Sequence, residues 1–258
     1  MFSKITRHVY LFWAGQNDRP NVALIVGSKF AMLWDAGFSA DHVAEIKHAI
    51  DSQNLRMPDY IVLSHSHADH VLGCSAWDGI PVICGKETNE ILKKMSALGW
   101  SEKEMQHRVE TGEEIEFMKA MIMQEFQDPE HEIEVVTGDI VFEDLLEVTL
   151  GENLHIDLIH CASPHCSDNI LALVREDQLL LISDSAGKDL YARPWHYYRS
   201  FREATQDIPY DPDKVQAFIT TINQLPFQFY VDGHTPKVGF REGLLNPLRF
   251  GIKEDHYE

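Results

Sequence analysis

The chain is poor in the residues that would cross-link it or hold it in a membrane. Only four of its 258 residues are cysteines, too few for a disulfide framework, so reduced thiols are the simplest interpretation. No stretch approaches the ~18 consecutive apolar residues that a membrane-spanning helix needs. The short apolar run after Lys4 and Arg7 is more typical of a first strand than of a signal peptide. These absences predict a cytoplasmic protein that does not enter a membrane.

Basic residues are scarce as well. Lys and Arg total 22 against 41 Asp and Glu, which gives a formal net charge of −19 at pH 7. A field of this sign repels polyanions, so neither nucleic acid nor an anionic membrane is expected as a partner. A small-molecule substrate is expected instead. An anionic one is compatible with the charge, because bound divalent cations would reverse the local sign inside a cleft.

The order of apolar patterns predicts an α/β protein with a substantial core. Residues 21–37 read as two strands of a hairpin, and residues 42–50 have the apolar spacing of a helix. A continuous apolar run at 59–64 is typical of a strand buried on both faces. Strand-like runs return from 133 to 183, beginning with IEVV at 133–136. Strands followed by helices, twice over, predict two sheets packed face to face with helices outside.

Residues 96–128 interrupt this alternation. They are rich in Glu, Met and Lys, have helical periodicity and lack strand signals, so a helical insertion is predicted. One helical face carries an apolar stripe, formed by Ile115, Met118, Ile122 and Phe126 with Met121 at its edge. Something must cover this stripe: the protein's own core, a substrate beneath an active-site roof, or a second subunit of a homodimer.

The stretch SHSHADHVLG, at residues 64–73, concentrates side chains that bind metals. Its candidate ligands are His65, His67, Asp69 and His70. Neither a strand nor a helix directs all four side chains to one side, so the spacing suits an irregular loop. Imidazole and carboxylate groups that converge on one point indicate a metal site.

Three more candidate ligands each follow a predicted strand, namely His165, Asp184 and His234. Open α/β proteins build their sites from loops at the carboxyl ends of strands, so this shared placement predicts that the three approach the first cluster. His160 lies five residues before His165 and competes with it as a ligand.

The motif and the order of these residues resemble the metallo-β-lactamase superfamily. The H-x-H-x-D-H motif of that family stands here at residues 65–70, and its later ligands match SPHCS, ISDS and DGH, which contain His165, Asp184 and His234. The match of SPH to a turn of the family favours His165 over His160. The resemblance covers nearly the whole chain. It implies the four-layer αββα sandwich of that family as a single domain spanning residues 1–258, with the helical insertion at about 96–128.

The resemblance also implies a dinuclear site. One ion would be bound by His65, His67 and His165, the other by Asp69, His70 and His234, with Asp184 bridging the two. Zinc is the first expectation, with manganese and iron as alternatives. Two such ions lower the pKa of a shared water enough to give a metal-bridging hydroxide at neutral pH, which Asp69 would orient as the catalytic residue.

One further acidic residue has a counterpart in the family. Asp35, in the segment LWDAG, resembles the acidic residue that orients a ligand imidazole in many members. The alternative is that Asp35 caps a turn beside Gly37.

Departures from well-known branches of the family leave the substrate open. Asp184 stands at the position where one class of β-lactamases has cysteine. His67 stands where the flavin-partnered diiron reductases have glutamate. Gly187 stands where quorum-signal lactonases commonly have tyrosine. A metal-dependent hydrolase of a small-molecule ester, lactone, thioester or amide is therefore expected. A phosphodiesterase and a mononuclear iron sulfur dioxygenase are the alternatives, and a non-catalytic metal-binding or scaffold protein comes last.

Aromatic and basic residues crowd the segment 191–201, shortly after Asp184. This position makes the segment a candidate wall of the substrate pocket, in which Tyr191 or His196 would donate a hydrogen bond to a developing oxyanion. Aromatic packing at the start of a helix is the alternative interpretation.

Overall fold

The computed structural model describes residues 1–163, 165–185 and 212–250. The first of its two sheets has seven strands, paired in chain order: β1 (Ser3–Lys4), β2 (Val9–Phe12), β3 (Val22–Val26), β4 (Ala31–Trp34), β5 (Tyr60–Leu63), β6 (Val82–Gly85) and β7 (Ile140–Phe142). Strands β1 to β4 are antiparallel, and β4 to β7 are parallel. The hairpin predicted at 21–37 is confirmed as β3 and β4.

The second sheet has six strands, also paired in chain order: β8 (Leu145–Thr149), β9 (His155–His160), β10 (Ile170–Val174), β11 (Leu179–Ser183), β12 (Phe229–Asp232) and β13 (Gly239–Phe240). Its pairs are antiparallel, apart from the parallel pair β11 and β12. Both sheets are therefore mixed.

The helices of the described residues are α1 (Ala40–Ser52), α2 (Ala68–Val71), α3 (Lys86–Met95), α4 (Glu102–Thr111), α5 (Glu116–Glu125), α6 (Pro129–Glu132), α7 (Pro212–Gln224) and α8 (Arg241–Phe250). Two 3₁₀ helices span Leu72–Trp77 and Arg175–Asp177. None of the helices described here is long and apolar enough to cross a membrane.

Alternate residues of the strands separate the buried side chains into three cores. On β3, Leu24 packs towards the core that contains α1, whereas Ile25 packs into the core between the two sheets. On β11, Leu181 joins the core between the sheets, and Ile182 joins a third core with Phe218 of α7. This follows from the two-residue period of a strand, which sends neighbouring side chains to opposite faces. Three cores separated by two sheets make a four-layer αββα sandwich, which confirms the predicted fold class.

The parallel registers place the carboxyl ends of several strands at one edge. Leu63 at the end of β5 pairs with Cys84 of β6, and Ser183 at the end of β11 pairs with Asp232 of β12. A hydrogen bond of 2.8 Å between the hydroxyls of Ser64 and Ser183 joins the two sheets at this edge. Loops from both halves of the chain therefore meet there.

One local prediction was wrong. Residues 133–136 form no strand, because their β-branched side chains Val135 and Val136 pack against the first core from an irregular segment. Tertiary burial here outweighs β-propensity. At the histidine motif the chain is α-helical from Ala68 to Val71 and continues as a 3₁₀ helix to Trp77.

The segment 96–128 contains the two helices α4 and α5. Helix α4 begins with a capping box in which Ser101 and Glu104 exchange hydrogen bonds, and it ends at Gly112, whose φ of 75° is left-handed. On α5, Ile122 is fully buried in the first core, and Met118 and Met121 pack against that core. The apolar stripe thus packs on the protein's own body. The boundaries of the insertion and the one-domain organisation of residues 1–258 stay predictions.

Candidate metal centre

The histidine motif lies where β5 meets α2. His65 follows the strand in an irregular turn, His67 is the residue before α2, and Asp69 and His70 lie on its first turn. The backbone amide of Ser66, between the first two histidines, donates a hydrogen bond of 2.8 Å to Asp168 Oδ2. The irregular loop predicted from the spacing is therefore present only in the first half of the motif, and its second half is helical.

The structure brings all seven predicted ligands together in two groups. The ligand atoms within each group lie within 4.8 Å of one another, and the groups are His65, His67 and His165, and Asp69, His70, Asp184 and His234. Asp184 Oδ2 lies 3.6 Å from His165 Nε2 and 3.3 Å from His234 Nε2. The carboxylate of Asp184 thus lies between the two groups, as a bridging ligand would.

His165 and His160 have different surroundings. His165 Nε2 lies 2.9 Å from His67 Nδ1, inside the first group. His160 lies on β9, and its Nε2 is 3.1 Å from the carbonyl oxygen of Ser167. Of the two competing histidines, the structure places His165 at the site.

Asp35 contacts a predicted ligand directly. Its buried carboxylate accepts a hydrogen bond of 2.8 Å from the amide of Ser64, and its Oδ2 lies 2.9 Å from His70 Nδ1. A carboxylate on the Nδ1 side holds the proton there and leaves Nε2 free to bind an ion. The contacts of Asp35 match the orienting role that the resemblance implies.

Several ligand atoms at this site are buried without a hydrogen-bond partner among the described residues, namely His65 Nε2, Asp69 Oδ2, His70 Nε2 and Asp184 Oδ1. Leaving one such group unsatisfied costs about 1–3 kcal/mol. His70 Nε2 lies 3.0 Å from Asp69 Oδ2, yet the two are not aligned as donor and acceptor. Atoms arranged around a common ion would lie in this way. The imidazole and carboxylate donors also suit zinc, so the residues fit a dinuclear metal site.

The charge state differs between the two groups. Burial lowers the pKa of His65 and His67, and it lowers the pKa of His165 to about 3. For His70 and His234, burial acts in the same direction, but the carboxylates of Asp69 and Asp184 outweigh it and raise both pKa values well above the ordinary range. The first group is therefore neutral, whereas the second carries protons in the metal-free protein.

We expect zinc binding near pH 7 to release at least about two protons per chain, one each from His70 and His234. Because both pKa values are raised, both imidazoles are protonated at neutral pH, and protons compete more strongly for these nitrogens as the pH falls. Titration calorimetry in two buffers of different ionisation enthalpy measures the release. Zinc uptake without any proton release would contradict the assigned charge states.

Gly233 allows the loop of His234 to approach the bridging carboxylate. A Cβ atom at this position would lie 1.8 Å from Asp184 Oδ1, so a side chain fits only if Asp184 or the loop moves.

We expect Gly233→Ala to lower the metal content of the purified protein, because it displaces Asp184 from between the two groups. Gly243→Ala, on α8, is the matched control, since a Cβ atom there meets nothing within 4 Å. Elemental analysis of both variants checks the prediction. Equal metal content in the two variants would show that the loop tolerates the shift.

Sequence reasoning missed one acidic residue beside the site. Asp18 Oδ1 lies 3.7 Å from His234 Nδ1. Its neighbour Asn17 and Asp18 itself are turn-forming residues, but no pattern in the sequence places that turn beside His234. The predicted substrate residues Tyr191 and His196 lie outside the described residues.

Comparison with known proteins agrees with this fold. Residues 16–177 match the family model described as the metallo-beta-lactamase superfamily. A metallo-β-lactamase from Pontibacter korlensis superposes with a TM-score of 0.65 at 15% identity, covering 97% of this chain and 99% of that chain. The DIM-1 metallo-β-lactamase gives a TM-score of 0.59 at 15% identity, covering 96% and 94%. A motif mutant of a metallo-β-lactamase from Cronobacter sakazakii gives 0.58 at 15% identity, covering 91% and 80%.

At such low identities these structures share the fold with this chain, and no curated protein matches the chain significantly. The family match spans more than half of the sequence. The chain therefore belongs to the metallo-β-lactamase superfamily and is an enzyme with the hydrolase fold of that superfamily.

Proposed function

We propose that this enzyme is a dinuclear metallohydrolase of a small-molecule carboxylic ester, lactone, thioester or amide. The observation that carries the proposal is the convergence of seven ligand-type side chains into two groups with Asp184 between them. Two adjacent groups of this kind suit a pair of divalent ions, with zinc first and manganese or iron as alternatives.

Each group has a role in this proposal. His65, His67 and His165 would hold one ion, Asp69, His70 and His234 the other, and Asp184 both. Bound there, the ions would supply Lewis-acid activation of water and of a substrate carbonyl. Asp35 contacts His70 Nδ1, which would leave Nε2 of His70 as the ligand atom for its ion.

Asp69 is the proposed catalytic residue. Burial raises the pKa of its carboxyl, but the charges of His70 and His234 outweigh that effect and hold the pKa below its usual range. Asp69 therefore stays ionised at neutral pH, and its carboxylate can accept and orient the proton of an attacking water.

The remaining expectations are proposals of the same kind. A formal net charge of −19 supports a small-molecule substrate over nucleic acid or an anionic membrane. Four free cysteines, three of them buried, support a cytoplasmic location. Because the apolar stripe of α5 packs on the protein's own core, that face gives no support to a homodimer.

One experiment tests the function. Protein purified without chelator is analysed for metals and then screened, metal-replete, against esters, lactones, thioesters, amides and phosphodiesters. We expect about two ions per chain and turnover of a carboxylic substrate. Turnover of phosphodiesters alone would favour a phosphodiesterase. Iron alone at about one per chain would favour the dioxygenase, and bound metal without turnover would favour a scaffold.

A further inference from the structure

The loop at residues 13–21, between β2 and β3, runs from the insertion helix α5 to the metal centre. Its middle is a turn in which the amide of Arg19 donates a hydrogen bond of 3.2 Å to the carbonyl of Gln16. Asn17 and Asp18 both have left-handed backbone, with φ of 57° and 60°. Asn and Asp are enriched in this region among residues other than glycine, so the turn is encoded locally.

One side of the loop is bound to Glu125, the last residue of α5. The side chain of Glu125 is only 1% exposed, and its Oε1 lies 2.8 Å from Arg19 Nε and 2.7 Å from Arg19 Nη2. Ser39, the residue that caps α1, donates its hydroxyl to the same oxygen, and Asn17 Nδ2 donates to Oε2 at 3.3 Å. Removing this carboxylate would leave Arg19 without its buried partner.

The other side of the loop is bound to the segment that carries His234. Asn21 Nδ2 donates to the carbonyl oxygens of Asp232 at 2.9 Å and Thr235 at 3.0 Å. The amide of Asn21 donates to the carbonyl of Gly233 at 2.6 Å. Residues on both flanks of His234 are thus hydrogen-bonded to a single residue of the loop.

Asp18 lies between these two attachments and faces His234. Its Oδ1 is 3.7 Å from His234 Nδ1, an ion-pair distance rather than a hydrogen bond. His234 Nε2, on the opposite side of the ring, lies 3.3 Å from both Asp69 and Asp184. A carboxylate near Nδ1 favours a proton there and leaves Nε2 as the ligand atom.

We propose that residues 13–21 form a positioning bridge, through which Glu125 of the insertion holds His234 in place for the second metal-binding group. In this bridge Glu125 and Arg19 fix the turn, while Asp18 and Asn21 orient the ring and backbone of His234. All four are positioning residues, since each acts through His234. The expected effect on metal affinity rests on the proposed function. The expectation that the loop holds the segment of His234 in place does not.

The first test measures that transmission in the metal-free protein. In Arg19→Ala and Glu125→Ala we expect faster amide hydrogen exchange at residues 14–19 and also at 233–235. Ser101→Ala is the matched control, because it removes the cap of α4 without touching the loop. Arg19→Ala keeps the test valid if Glu125→Ala fails to fold, since the Arg19 side chain is partly exposed. Wild-type exchange at 233–235 in Arg19→Ala would overturn the proposal.

The second test measures zinc affinity by competition with a chromophoric chelator. Asp18→Asn and Arg19→Ala should each lower the affinity for one of the two zinc ions about 10- to 100-fold. The affinity for the other ion should stay unchanged. The double variant Arg19→Ala, Glu125→Ala should lose no more zinc affinity than the more affected of its two single variants, because the two residues act as one unit. The proposal would be overturned if a variant lost affinity equally for both ions. It would also be overturned if the loss in the double variant equalled the sum of the two single losses in binding free energy. A wild-type protein that binds no second ion would refute the proposed function, and hydrogen exchange would then decide the bridge alone.

Discussion

Replacing Asp184 by alanine is expected to weaken the affinity of the protein for both metal ions by more than about 100-fold. The physical reason is its position, since one carboxylate oxygen lies within 3.6 Å of His165 Nε2 and 3.3 Å of His234 Nε2, one from each group. Mutation of a residue that only orients a ligand lowers metal affinity about 10- to 100-fold. Loss of a ligand shared by two ions should therefore lower it more.

Chelator competition and elemental analysis after dialysis check this result. Asp41→Ala is the matched control, because it removes the same charge from an exposed position on the first turn of α1. Circular dichroism establishes that both variants are folded. Retention of two ions by Asp184→Ala would exclude Asp184 as the bridging ligand, and loss of only one would assign it to a single group.

Replacing Asp69 by asparagine is expected to lower turnover about 10²-fold or more, as is usual when a general acid–base group is removed. Asparagine keeps an oxygen that can face the ion, but its amide is neutral and cannot accept the proton of an attacking water. The fold should be retained, because Asn and Asp are nearly the same size at a position where the side chain is 5% exposed.

The measurement is kcat for metal-saturated protein with the substrate found in the screen. Metal content is determined on the same samples, so that a change in chemistry is distinguished from a loss of ions. Near-wild-type turnover at full metal content would remove Asp69 from the mechanism. A loss that is restored by added zinc would make Asp69 a ligand only.

The architecture was predictable from sequence because its signals are local. The apolar runs that become β3 and β11 are short and continuous, as is typical of buried strands, and the histidine motif occupies six consecutive positions. The later ligands could be placed because each follows a strand. His165 was distinguished from His160 by resemblance to a known turn, and the structure places it beside His67.

What the sequence did not reveal depends on contacts between distant segments. Asp18 and His234 are more than 200 positions apart, and the need for glycine at Gly233 arises only from the proximity of Asp184. The strand wrongly predicted at 133–136 has the right composition, but β7 occupies the sheet edge seven residues further on. Such outcomes are decided by tertiary packing and are absent from any local pattern.

The hydroxyl contact between Ser64 and Ser183, which joins the two sheets at the metal edge, has a consequence for the maturation of the enzyme. The first half of the chain supplies four ligands, and the second half supplies His165, Asp184 and His234. Neither ligand group is complete in one half, so a nascent chain cannot complete either group before residue 165 has been synthesised and the halves have docked. Ions at these groups would then gain their full ligand set only after the halves have docked. Because such ions would bind the docked state in preference, they would stabilise the contact between the two sheets.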